Sequence, residues 1–241
     1  MEKPITYDNL RSYAYSSDKI CAKPIRAIAL NFLGLNGCGI YNEDTPEALF
    51  FKDHNILYVV PYTNPWSWMN RQALDYTEEV LDVLFERYSL PDDTPIISMG
   101  GSMGGLSSIV YSKYAKRTPV AVAANCPVCD LVRHFHERPD LPKSMYSAFW
   151  YEDGDMETAL KAHSPLHLAE SLPDIPYHIF HCAEDKSVNI DVHSRRFVEK
   201  MRALGRDITF DMVESRGHCD LTDEMKNKYL TYVIQEAEKH V

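Results

Sequence analysis

An α/β architecture, a mostly parallel central sheet flanked by helices, is predicted from three features of the chain. Apolar runs of strand length at 25–32, 56–60, 95–99, 120–124, 177–182 and 208–213 alternate with helical stretches, as a sheet covered on both faces requires. Residues 94–108, TPIISMGGSMGGLSS, read as a buried strand, a glycine-flanked serine and a helix opening near Met103. With 241 residues, 45% of them hydrophobic, the chain fills one domain over residues 1–241 with a sizeable core.

Taken in order, residues 1–24 are polar and tyrosine-bearing and are suited to an edge strand or an arm over the domain. The run IRAIALNF at 25–32 is the first buried strand, followed by a glycine-rich segment from Leu33 to Gly39. Thr45-Pro46 opens a helix with proline in its first turn, and 56–60 is the next strand. Trp66 and Trp68 stand in the loop at 61–69 and, with Trp150, are suited to line an apolar pocket. Beyond Asn70, apolar residues at 73, 74, 80, 81, 84, 85 and 88 form a helical stripe leading into the strand before Ser102. After the strand at 120–124 the alternation stops from Asp130 to about Pro173, where Phe135, Tyr146, Phe149, Trp150 and Tyr151 stand among charged residues; this reads as a small helical cap insertion, about 130–173. A strand at 177–182, a helix over 188–204 stopped by Gly205, a strand at 208–213 and a closing helix capped by Thr222 complete the chain.

The net charge of −10, without clustered Lys and Arg, argues against nucleic acid and anionic membrane surfaces as partners. The first 20 residues lack the apolar core of a signal peptide, and no run of about 18 apolar residues occurs, so a cytoplasmic protein is expected. Six scattered cysteines in a chain of this size suit free thiols, and no disulfide is expected. Cys126-Pro127-Val128-Cys129 is a C-x-x-C, but it follows a late strand and no second pair completes a zinc set, so a structural role is favoured and no metal or organic cofactor is expected.

The chemistry centres on Ser102. Gly100-Gly101-Ser102-Met103-Gly104 fits G-x-S-x-G, in which a strained turn lifts the serine from the sheet, and glycine two before and two after it permits close backbone approach. A serine hydroxyl needs a histidine to take its proton and a carboxylate to orient that histidine. Asp185 follows the strand ending at Cys182, and His218, preceded by glycine, lies in the loop after the strand ending near Val213. A glycine turn without chemistry, or a phosphate loop, is the plain alternative for Ser102; no GK[ST] or G-x-G-x-x-G supports it. Glu184 and Asp191 rival Asp185. Of the ten histidines, His178, His181, His193 and His240 read as structural or solvated, and His134 and His136 as solvated helix-face residues.

With GGSMGG at the turn, Ser164-Pro165, IPYHIFHCAEDKSV and Gly217-His218, the chain over roughly 25–235 resembles the α/β-hydrolases, and within them the prolyl-oligopeptidase-like serine hydrolases and esterases. The resemblance implies an α/β-hydrolase fold with Ser102 as nucleophile, Asp185 as orienting acid and His218 as base. The family's usual His-Gly pair after the first buried strand is replaced by Leu33-Gly34-Leu35. The backbone N–H groups of Leu35 and Met103 are assigned as oxyanion donors, with Asn36-Gly37-Cys38 as a competing register. The expected activity is hydrolysis of a small-molecule carboxylic ester through an acyl-enzyme. A small peptidase is the second reading, weakened because the family's oligopeptidases restrict access with a large additional domain. A non-catalytic binding module on the same fold is the third, kept open by the missing His-Gly.

Overall fold

The computed structural model describes residues 5–37 and 39–241. Its framework is a seven-stranded sheet: β1 (Ala14–Ser16), β2 (Ala27–Phe32), β3 (Ile56–Pro61), β4 (Ile96–Gly101), β5 (Ala121–Asn125), β6 (Tyr177–Cys182) and β7 (Ile208–Val213), in the order β1-β3-β2-β4-β5-β6-β7. Only β1 is antiparallel, pairing as an edge on β3, so the polar N-terminal stretch supplies the edge strand. The remaining pairs are parallel.

Side chains alternate faces along each strand, and the core divides accordingly. Ile28, Leu30 and Phe32 of β2 face one cluster with Leu57 and Val59 of β3, whereas Ala27 and Ala29 face a second with Tyr58 and Val60. The first cluster is covered by α2 (Arg71–Tyr88), α3 (Met103–Tyr114) and α8 (Arg196–Ala203), the second by α1 (Pro46–Phe51) and α9 (Asp223–Glu238). The helix caps follow their sequence signals: Thr45, Asn70 and Thr222 accept the backbone N–H of Ala48, Ala73 and Met225. No helix among the described residues is long and apolar enough to cross a membrane.

The sheet order places the working end. From β2 the chain moves outward to β3, then crosses back to β4 on the other side of β2, so the loops leaving β2 and β4 diverge at their carboxyl ends. Open parallel sheets bind ligands at such a switch point. The turn carrying Ser102 sits there.

Between β5 and β6 lie α4 (Leu131–His134), α5 (Leu141–Ala148), α6 (Met156–Ala162) and α7 (Pro165–Leu168). Ser164 clips the two ends of this insertion together: its Oγ accepts the Leu131 N–H and donates to the Cys129 carbonyl, both at 3.0 Å. The loop before α2 fastens its middle. Trp68 Nε1 donates to Ser144 Oγ at 3.1 Å, Asn70 Nδ2 to the Ala148 carbonyl at 2.7 Å, and the Arg71 N–H to Glu152 Oε1 at 2.8 Å.

Three expectations change. The helix expected over 188–204 begins instead with a π-helical turn, Asp191–Arg195, because Val188 N–H is held by Asp185 and Asn189 Oδ1 accepts the Asp191 and Val192 N–H groups as a cap. Of the tryptophans proposed for a pocket, Trp150 is 75% exposed and Trp68 is 1% exposed within the core. His134 is 3% exposed rather than solvated, because α4 is a single turn whose ring packs between Trp68 and His193.

Candidate active site

The turn after β4 holds Ser102 at φ 60°, ψ −123°, a conformation that non-glycine residues avoid and that persists only where the surroundings fix it. Those surroundings are backbone. The Ser102 N–H donates to the Asn125 carbonyl at 2.9 Å, and the Ser102 carbonyl accepts the Leu106 N–H at 3.0 Å as α3 begins. A Cβ on Gly104 would land on the Phe32 carbonyl oxygen, and one on Gly100 on the Gly104 carbonyl. Both glycines are thus demanded by the close passage of β2, β4 and α3. Gly104→Ala, pressing on main chain that no rotamer change relieves, is expected to destabilise the fold by about 3 kcal/mol or more. Urea unfolding measures this, and an unchanged midpoint would mean that the β2–α3 contact can open freely.

Below the turn, the buried hydroxyl of Tyr229 on α9 accepts the Gly100 N–H at 3.0 Å and reaches the Gly100 and Ala123 carbonyls at 3.4 and 3.3 Å. It joins β4 to β5 where the serine leaves the sheet. Nothing local in the sequence marked this tyrosine; it is one apolar-face residue of an ordinary amphipathic helix.

The structure brings Ser102, His218 and Asp185 together. His218 Nε2 lies 2.9 Å from Ser102 Oγ, and His218 Nδ1 lies 2.6 Å from Asp185 Oδ2. The other Asp185 oxygen accepts the Ser187 and Val188 N–H groups at 2.8 and 2.9 Å. Burial alone would raise this carboxyl, but the contacts from His181, His218 and the Val188 N–H outweigh it and hold Asp185 far below the usual carboxylate range. The rivals stand apart: Glu184 is exposed, and Asp191 pairs with Arg195 on the surface. His181, in β6, braces the loop that carries Asp185, with Nε2 donating to the Val188 carbonyl at 2.9 Å and Nδ1 accepting from Ser194 Oγ at 2.7 Å.

In the glycine-rich loop after β2, two backbone N–H groups of the competing register are engaged within the fold. The Asn36 N–H donates to the Pro65 carbonyl at 2.8 Å and the Gly37 N–H to the Gly34 carbonyl at 2.9 Å. Cys38 lies outside the described residues. Among those residues, the N–H groups of Leu35 and Met103 have no hydrogen-bond acceptor. Gly34 itself lies against the turn, where an added Cβ would meet the Gly101 carbonyl oxygen at 3.6 Å and Ser102 Cβ at 3.8 Å.

Three groups bring metal-type donor atoms within 4.8 Å of one another: Cys126, His218 and Cys219; Cys126, His181 and Asp185; and His134, Glu137 and His193. In the last, His193 Nδ1 accepts the Cys129 and Asp130 N–H groups at 3.2 and 3.1 Å, so the neutral ring carries its proton on Nε2, 3.3 Å from Glu137 Oε2. His134 Nδ1 meets the same oxygen at 2.6 Å. These nitrogens donate to the carboxylate, whereas a metal needs their lone pairs. In the second group both nitrogens of His181 are engaged as described, and the first shares His218 with Ser102.

The prolyl oligopeptidase family model matches residues 66–236, a span that contains Ser102, Asp185 and His218 but begins after the Leu33–Gly37 loop. No curated protein sequence matches the chain. Among solved structures, the chain resembles a Mycobacterium tuberculosis puromycin-hydrolyzing peptidase with TM-score 0.71 at 16% identity, over 91% of this chain and 35% of that one. It resembles the Pyrococcus horikoshii acylaminoacyl peptidase with TM-score 0.65 at 12% identity, over 89% and 36%. With Thermogutta terrifontis esterase 2, in a structure phosphoramylated by tabun, the TM-score is 0.62 at 17% identity, over 92% and 87%. The chain thus spans about a third of the length of the two peptidases and most of the esterase.

Proposed function

Because the chain belongs to the prolyl oligopeptidase family and has the α/β-hydrolase fold, we propose that it is a serine hydrolase that cleaves a carboxylic ester with Ser102 as nucleophile, His218 as base and Asp185 as orienting acid. The observation that carries this reading is the unbroken run of contacts from Ser102 Oγ through His218 to Asp185 at 2.9 and 2.6 Å. Attack proceeds as His218 Nε2 takes the serine proton while Oγ bonds to the acyl carbon. The resulting oxyanion accepts the Leu35 and Met103 N–H groups, each donor worth about 3 kcal/mol in such a site. The imidazolium then protonates the departing alcohol, and the same ring deprotonates the water that releases the acid.

The ester reading is supported by the similarity to esterase 2 over most of both chains. The family's description and the two peptidases support a peptide as the second substrate class. We assign the insertion at 130–173 as the roof of the acyl site; its ties to Trp68, Asn70 and Arg71 favour a fixed roof over a swinging one.

Aryl esters of increasing acyl length, run beside peptide amides, test the reading. A kcat/KM favouring the esters is expected, whereas preference for an aminoacyl amide would move the substrate class to peptides. An organophosphorus agent modifies esterase 2 in its solved structure, and a fluorophosphonate is expected to label this chain. A binding module would resist it.

A further inference from the structure

Three thiols beside the proposed base have no part in acyl transfer. Cys126, just beyond β5, and Cys182, closing β6, are fully buried, whereas Cys219, the residue after His218, is partly exposed. Cys126 Sγ accepts the N–H groups of Cys182 and Cys219, each at 3.4 Å. Cys219 Sγ lies 3.6 Å from the Asn125 carbonyl and 3.8 Å from His218 Nε2. The sulfurs of Cys126 and Cys219 and a ring nitrogen of His218 all fall within 4.8 Å of one another. Cys126 and Cys219 both hold positive φ, 46° and 56°, so packing fixes their backbones in this juxtaposition. The C-x-x-C partner Cys129 turns aside, its thiol 3.6 Å from the Pro127 carbonyl.

Access separates the three. Cys219 lines a polar cavity of about 360 Å³ with Asn31, Tyr41, Gly101 and Asn125, room enough for a small peroxide, and Cys126 and Cys182 do not line it. From this arrangement we infer that Cys219 and Cys126 are an oxidation site, which a hydroperoxide converts to a disulfide that pulls the residue after His218 toward β5 and disables the base.

The Cys219 sulfur, its proton passing to His218 Nε2, attacks the terminal peroxide oxygen. The S–O bond forms, the O–O bond breaks, and the departing oxygen takes the proton to leave as alcohol or water. The Cys126 sulfur then attacks the sulfenic sulfur, forming S–S and releasing water, so that two thiols lose two electrons and the peroxide gains them. Cys219 attacks first. Although the Cys182 contact favours a Cys126 thiolate, the contact with Cys219 and burial push the Cys126 thiol up. Closing S–S to about 2 Å moves the 218–219 peptide, and a misplacement of about 1 Å costs on the order of 100-fold in rate. Loss of hydrolysis rests on the reading of His218 as base; the disulfide does not.

The test treats the full chain with hydrogen peroxide, maps peptides without reduction and follows aryl-ester turnover. A linked Cys126–Cys219 peptide lighter by two hydrogens is expected, with at least a roughly tenfold loss of turnover that dithiothreitol reverses. Cys126→Ser should give no link, its oxidation stopping at Cys219. A link between Cys126 and Cys182, no link at all, or the expected link with unchanged turnover would each overturn the inference. The map is read on the wild-type chain, so it does not depend on how a variant folds. Fluorophosphonate labelling of untreated protein separates failure of this site from failure of the serine assignment.

Discussion

Ser102→Ala is expected to abolish fluorophosphonate labelling and to lower kcat on aryl esters by about 10⁵- to 10⁶-fold, leaving the residual rate that an oxyanion hole and binding supply without a nucleophile. The fold should not notice. Alanine keeps the Cβ and inherits the same backbone at φ 60°, and among the described residues the lost hydroxyl hydrogen-bonds only the partly exposed His218 ring. Ser102→Gly should be equally inactive yet at least as stable as the parent. Glycine releases a strain of about 1–3 kcal/mol at this conformation, which offsets its greater freedom in the unfolded chain, worth about 0.4–1 kcal/mol. Thermal unfolding beside a labelling gel reads both effects. Labelling that persists in Ser102→Ala, or maps to a peptide without residue 102, would remove the central assignment.

The second large effect is at Asp185. Its Oδ1 accepts two backbone N–H groups, so an asparagine must place its carbonyl oxygen there and turn its amide N–H₂ toward His218 Nδ1. The ring must then accept at Nδ1 and carry its proton on Nε2, the tautomer that cannot take a proton from Ser102. Asp185→Asn should therefore lower kcat by about 10⁴-fold with little change in KM. Near-normal turnover in this variant, with loss at Asp191 or Glu184 instead, would relocate the acid.

The pH behaviour follows from the same contacts. A carboxyl held low in the folded state contributes stability that is complete above its unfolded value, near pH 4, and lost as pH falls through its folded value far into acid. Asp185 accordingly adds no limb to the activity profile near neutrality.

Much of this organisation was legible in one dimension because it depends on spacing along the chain. Short segments rich in apolar residues between turn signals give strand positions, and those at 177–182 and 208–213 occur with those very bounds, the first fully buried and the second, at the sheet's edge, buried only at its ends. Glycine at 100 and 104 follows from the turn itself, since no other residue fits against the carbonyls of Phe32 and Gly104. Asp185 and His218 stand just beyond strand ends, where a parallel sheet gathers its loops on one edge, and the structure brings both to Ser102.

What spacing could not convey is which distant side chains meet. Tyr229 supports Gly100 across 129 positions, and His134, read as solvated, is buried by Trp68 and His193 from two other segments. Trp150 and Phe149 are neighbours with similar aromatic character, yet Phe149 stacks on buried His163 while Trp150 faces solvent. The periods of strand and helix fix the faces an element offers, and so the layered sheet, the turn at Ser102 and the chain order of Ser102, Asp185 and His218 could be read from spacing alone. The insertion consists of helices too short for a period to assign a face, and the thiols of Cys126, Cys182 and Cys219 come from three separate loops or strand ends. Their arrangement was decided only by tertiary packing, because burial and hydrogen bonding there are set by what the rest of the chain places opposite each side chain.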